Sequence, residues 1–175
     1  MHLAGAKVNK NLKSPKLFGK IFCFSEIFLT FALSCLLVLY GTIMKKQKIH
    51  IEKELNCKSA NIIWPLLSSA GGLAKWVADY VERNDDQLTF TWGEAWTHQE
   101  TRTATIMEEV TAHHLKITWN EEEDPEAYWL MAIERSEITG DYILLVTDFA
   151  WEEDVDGLYD IWESNFERLH QTTGL

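Results

Sequence analysis

Residues 144–169 read LLVTDFAWEEDVDGLYDIWESNFERL. The stretch changes period in its middle. Tyr142 to Phe149 has the short, apolar, β-branched character of a strand. From Val155 the apolar residues Val155, Leu158, Ile161, Trp162, Phe166 and Leu169 recur every third or fourth position, with Asp and Glu opposite. That spacing predicts a long amphipathic helix. Asp154 or Asp156 is placed to cap it, and acid at that end suits the helix dipole.

Working backward, the pattern is of period two. Leu88, Phe90 and Trp92 form one strand, Glu100 to Val110 another, and Leu115, Ile117 and Trp119 a third. The third stops at the acidic run Asn120-Glu-Glu-Glu-Asp-Pro125. Tyr128 to Arg135 precedes the last strand, joined to it by a turn at Gly140-Asp141. Earlier still, Ile49, Ile51, Leu55 and Cys57 share one face of a strand, opposite His50, Glu52 and Glu54. Ser59 is a reasonable N-cap for a short helix through Ile62, Ile63, Leu66 and Leu67, bent or started by Pro65. Gly71-Gly72 breaks the chain, and Leu73, Trp76, Val77 and Tyr80 fall at the spacing of a second short helix.

The order is therefore strand, two short helices, five strands and a long helix. Consecutive strands with short turns imply an antiparallel meander. A sheet curled around a helix leaves room for a cavity.

Composition divides the chain at Met44. Residues 1–43 carry five Lys and one Glu, a net of +4; the remaining 11 basic and 26 acidic residues give −15, within a total of −11. A domain so acidic is a poor binder of nucleic acid or of anionic membrane surfaces. Solubility is the simplest reason for the acid. Ile27 to Ile43 is apolar and uncharged, short for a membrane span, with Lys on both sides. It lacks a small-x-small cleavage site after Tyr40. Two readings stand: an over-extended gene start with translation from Met44 and a cytoplasmic protein, or a single-pass anchor through about residues 24–43. Residues 44–175 suffice for one domain with a real core. Cys57 has no partner there and reads as a small buried hydrophobe.

Three stretches carry a resemblance: Gly71-Gly-Leu-Ala-Lys-Trp-Val-Ala-Asp79, Leu88-Thr-Phe-Thr-Trp92, and Leu144-Leu-Val-Thr-Asp-Phe-Ala150 running into Leu158-Tyr-Asp-Ile-Trp-Glu163. With this element order, residues 45–173 resemble the START-like (helix-grip, SRPBCC) superfamily, and most closely its small Bacteroidetes proteins. The resemblance implies an α+β fold: a curved antiparallel sheet of about six strands wrapped on a long C-terminal helix, with two short helices after strand 1. Lipid-transfer START domains, polyketide cyclases and the activator of Hsp90 share that fold. It implies a cavity between sheet and final helix that holds lipids, sterols or polyketides in other members, and no settled activity for the Bacteroidetes group.

No catalytic constellation accompanies it. His113-His114 are adjacent, so in a strand they point to opposite faces and do not readily share a metal. Glu121-Glu-Glu-Asp124 lacks the interleaved spacing of a calcium loop and reads as a solvated hairpin tip. There is no phosphate loop, nucleophile elbow or Cys–His pair. Arg102 and Arg135 are candidates for an inward cation that would select an acid head group.

The eight tryptophans are core material first and cavity wall second. Facing periodicity and the resemblance together place Trp76, Phe90, Trp92, Ile117, Trp119, Trp129, Met131, Leu145, Leu158, Trp162 and Phe166 near the cavity. The expected function is binding of a small apolar or lipid-like ligand, without cofactor, metal or nucleic acid. The alternative is an interaction module with a filled core.

Overall fold

The computed structural model describes residues 45–93, 96 and 98–175, which belong to the unit Lys45–Leu175. The basic lead and the apolar run Ile27 to Ile43 lie outside the described residues. Among the described residues no helix is long and apolar enough to cross a membrane.

Strand β1 (Gln47–Glu54) is followed by helices α1 (Ala60–Ser68) and α2 (Ala70–Leu73). Strands β2 (Tyr80–Asn84), β3 (Gln87–Trp92), β4 (Glu100–Val110), β5 (His114–Trp119), β6 (Trp129–Arg135) and β7 (Tyr142–Ala150) come next. A 3-10 turn at Glu152–Asp154 leads into helix α3 (Val155–Thr173). The seven strands form one curved antiparallel sheet in the order β1-β7-β6-β5-β4-β3-β2. The meander is closed by β1, which crosses to pair with β7 along its whole length.

The seventh strand is β2, where the sequence pattern predicts helix. Helix α2 stops at Leu73, and Tyr80 opens a strand with its side chain in solvent. The helical spacing survives because turns follow α2. Trp76 and Val77 each donate to the Leu73 carbonyl, so both still point inward. Tyr80 is instead recruited by β3 through the two-residue turn Asp85-Asp86, with Asp85 at φ 51°. Asp tolerates that left-handed backbone better than most residues.

Gly71-Gly72 does not break the chain; both lie inside α2. The break is at Ser69, whose hydroxyl accepts from the Gly72 N–H at 3.0 Å and donates to the Pro65 carbonyl at 2.6 Å. A Cβ on Gly72 would stand 1.9 Å from that carbonyl oxygen, so the α1–α2 elbow admits only glycine. Ser59 holds the extended backbone of an N-cap without a side-chain capping bond, and Asp154 likewise makes none for α3. Helix α3 ends at Gly174, φ 78°, whose N–H bonds the His170 carbonyl.

The acidic run before β6 is not merely a solvated tip. Asp124 is buried and accepts from the backbone N–H groups of Lys46 and Glu126 at 3.0 and 2.9 Å. Although desolvation raises it, those two bonds and the nearby Lys45 and Lys46 charges hold its carboxyl below the usual range. Glu122 pairs with the Lys46 ammonium at 2.7 Å. Two of the four acids thus fasten the start of β1 to the β5–β6 loop. His113 and His114 also depart from expectation. Ala112 at φ 59° makes a turn of the preceding residues, and the two rings meet at Nδ1···Nδ1 2.6 Å.

Leu115, Met131, Ile133, Leu144 and Val146 line the inner sheet face and are buried with Leu55, Ile63, Leu67 and Leu73. The first two helices fill that half of the space. Trp162, Phe166 and Leu169 of α3 join the same core. Cys57 is a buried free thiol.

Candidate functional site

Successive strand side chains alternate between faces, and antiparallel partners share one. The pairings Phe90–Arg102, Ala104–Trp119, Ile117–Trp129 and Met131–Val146 therefore run one inner face across β3 to β7. Trp92, Arg102, Trp119, Trp129 and Asp148 all lie on it.

The aromatic side chains on this face form a continuous pile. Phe90, fully buried, touches Trp119 at 5.3 Å, Trp129 at 5.6 Å and Trp92 at 5.9 Å between ring centroids. Trp119 and Trp129 stack at 5.9 Å with planes 11° apart. Trp129 reaches the helix by contact with Trp162 at 5.4 Å, and Trp162 continues to Phe166 and Trp76. Offset and edge contacts of this kind add to the burial of large rings.

Between this pile and α3 lies a cavity of about 560 Å³. That is within the span of small-molecule sites. Trp92, Trp119, Trp129, Trp162, Leu158 and Val77 supply its apolar wall. Lys46, Arg102, Glu122, Asp148 and Arg168 supply charge within it, and the exposed side chains of Glu100, Asp160 and Ile161 stand at its rim.

Five of the eleven residues expected at a cavity line it: Trp92, Trp119, Trp129, Leu158 and Trp162. Trp76, Phe90, Ile117, Met131 and Phe166 face the same space but are packed into the core beside it. Leu145 is misplaced by the sequence reading. Leu144 and Val146 hold the inner face, so Leu145 between them points the other way. Three consecutive apolar residues carry no parity of their own. Asp148 shares the face of Leu144 and Val146, and a carboxylate read by polarity alone points to solvent, so the local pattern did not reveal the true parity. Of the two arginines considered, Arg102 is in the cavity, whereas Arg135 sits at the β6–β7 hairpin and donates to the Gly140 carbonyl at 3.1 Å.

Asp148 is held by two donors: the Phe149 N–H to Oδ1 at 2.8 Å and the Trp162 Nε1–H to Oδ2 at 3.0 Å. Burial pushes its carboxyl up to about 6, against those donors and the Lys46 and Arg102 charges. The indoles differ in their polar ends. Trp92 donates to the Val77 carbonyl at 2.8 Å, and Trp76 to the Leu66 carbonyl at 3.0 Å. Trp129 Nε1–H is buried with no partner among the described residues. Arg168 ties α3 to the turn before β2 through Asp79 Oδ1 and the Ala78 carbonyl, both at 3.0 Å.

Among the described residues that line the cavity there is no Cys or His, and the Ser164 hydroxyl donates to the Asp160 carbonyl. Among the described residues no cluster of three His, Cys, Asp or Glu side chains is placed to hold a metal. The arrangement is suited to enclosing an apolar body and holding a polar end.

The sequence model of the START-like superfamily domain matches residues 43–175. A Bacteroides fragilis protein solved by solution NMR is 36% identical, with 74% of this chain and 92% of that one covered, at a TM-score of 0.51. A Nitrosomonas europaea protein aligns at 10% identity and TM-score 0.59, covering 71% and 92%. The Aha1 dimer of Colwellia psychrerythraea aligns at 13% and 0.56, covering 73% and 98%. At the last two identities the likeness is one of fold alone. No curated protein matches the chain.

Proposed function

The chain belongs to the START-like superfamily, and from that premise we propose that its domain binds a small, largely apolar molecule between the sheet and α3. The observation that carries this reading is the cavity of about 560 Å³ walled by four tryptophans. An interaction module with a filled core has no use for such a space. Apolar surface in a site of this size draws a ligand out of water, while a few polar groups fix its orientation. No reaction is proposed, since the two acids within the cavity are engaged structurally, Asp148 by Trp162 and Phe149 and Glu122 by Lys46.

Native mass spectrometry of the full chain, tagged at its C-terminus and purified gently from its own host, tests the proposal. The expected species carries a few hundred extra daltons that are lost on denaturation. A bare chain, or one bound to a protein partner, overturns the reading in favour of an interaction module.

A further inference from the structure

Three cations line the cavity, and two of them are occupied. Lys46 pairs with Glu122 at 2.7 Å and Arg168 with Asp79 at 3.0 Å. Arg102 makes no ion pair among the described residues. Its guanidinium lies over the Trp119 ring, 4.3 Å from the centroid. Asp148 feels that charge across the cavity but forms no ion pair with it, its oxygens accepting instead from the Trp162 and Phe149 N–H groups.

We propose that the ligand is an amphipathic monocarboxylic acid, its carboxylate held by Arg102 and its apolar body laid against Trp92, Trp129 and Trp162. This rests on the ligand-binding reading above. The Trp119 ring limits where the guanidinium can sit, and its forked N–H groups match the two oxygens of a carboxylate. In an aromatic wall that pair is less screened than in water. Tryptophan faces also attract cations. Here the face of Trp119 is already covered by Arg102, whose charge repels a second cation. A doubly charged phosphate would set its extra charge near Asp148 with no further unpaired cation among the described residues.

The test compares decanoate, 1-decanol and decyltrimethylammonium, which share a tail and differ in charge. Binding to the full-length protein at pH 7 is followed by tryptophan fluorescence and calorimetry. Decanoate is expected to bind about tenfold more tightly than decanol, with the cation weakest. Arg102→Gln is expected to remove that preference, decanoate binding falling to the level of decanol, while circular dichroism reports that the variant is folded. Arg102→Lys keeps the charge without the fork and is expected to retain part of it. Equal binding of decanoate and decanol, tighter binding of the cation, or a preference that survives Arg102→Gln overturns this inference and leaves the ligand-binding reading standing. Binding of none of the three overturns both.

Discussion

Trp162 on α3 donates its indole N–H to Asp148 on β7 across 3.0 Å, and this bond fastens the helix to the sheet at the edge of the cavity. The carboxylate it reaches is desolvated and the indole is 3% exposed, so neither group has bulk water as a ready alternative. Trp129, 5.4 Å away between centroids, has the same indole group with no partner among the described residues.

That contrast gives the same substitution different costs at two neighbouring positions. Trp162→Phe loses ring volume and takes one of its two donors from Asp148, and is expected to cost about 3 kcal/mol. Trp129→Phe loses ring volume alone, since its N–H bonds nothing among the described residues, and is expected to cost about 1 kcal/mol. Urea denaturation of both variants reads the difference; equal losses would show that ring volume, rather than the N–H, governs both sites.

Asp148 makes stability depend on pH. Its carboxyl stands at about 6 in the folded protein against 3.8 for the ordinary group, so the native state holds the proton more tightly. Between about pH 4 and 6 the folded chain binds more protons than the unfolded one, and this group's contribution falls as pH rises through that window. The loss is of the order of 3 kcal/mol by pH 7. Asp148→Asn removes the titration. Its stability relative to wild type should therefore rise from pH 4 to pH 7 in paired urea titrations, and parallel profiles would sink the assignment.

Asp124 acts in the opposite sense. Its lowered carboxyl contributes stability above the ordinary carboxylate range that is lost as pH falls through its folded value. Asp124→Ala leaves the N–H groups of Lys46 and Glu126 without their acceptor. It should cost about 2 kcal/mol at neutral pH. Hydrogen exchange should localise the effect to the start of β1 and the β5–β6 loop; protection unchanged at Lys46 would contradict the anchoring role.

The two adjacent glycines of α2 should separate cleanly. Gly72→Ala forces a methyl to within 1.9 Å of the Pro65 carbonyl oxygen and is expected to cost about 3 kcal/mol or to prevent folding. Gly71→Ala meets nothing within 4 Å and should change stability by less than about 1 kcal/mol. Thermal melts of the pair suffice, and comparable melting temperatures would refute the close approach of α1 and α2.

Filling the cavity tests its use without touching its charges. Leu158 lines it from a half-buried position on α3. Leu158→Trp is expected to weaken 1-decanol binding about tenfold while stability stays within about 1 kcal/mol of wild type. Retained binding would place the ligand elsewhere.

Much of the fold was legible in the sequence because burial imposes a period. The pattern Val155, Leu158, Trp162, Phe166, Leu169 announces α3 wherever the chain goes, since a helix beside a sheet must turn one stripe inward. The alternation of Leu88, Phe90 and Trp92 similarly announces β3. Tyr80 misled because an exposed aromatic fits a helical spacing as readily as an edge strand, and only pairing with β3 chose between them. The acidic run Glu121 to Asp124 misled because composition does not say which carboxylate meets a backbone N–H from a residue nearly eighty positions away.

The candidate site divides along the same line. The sequence by itself determined that aromatic residues crowd one face of a sheet and one stripe of a helix, for each strand and helix repeats its own period. Only the tertiary structure decided which of them are core and which are wall. Phe90 and Trp92 differ by one step along β3, yet the first is sealed and the second borders open space. That outcome depends on how far α1, α2 and the second half of α3 fill the concave side. Such filling is a property of volumes brought together from distant parts of the chain, and no local pattern encodes it.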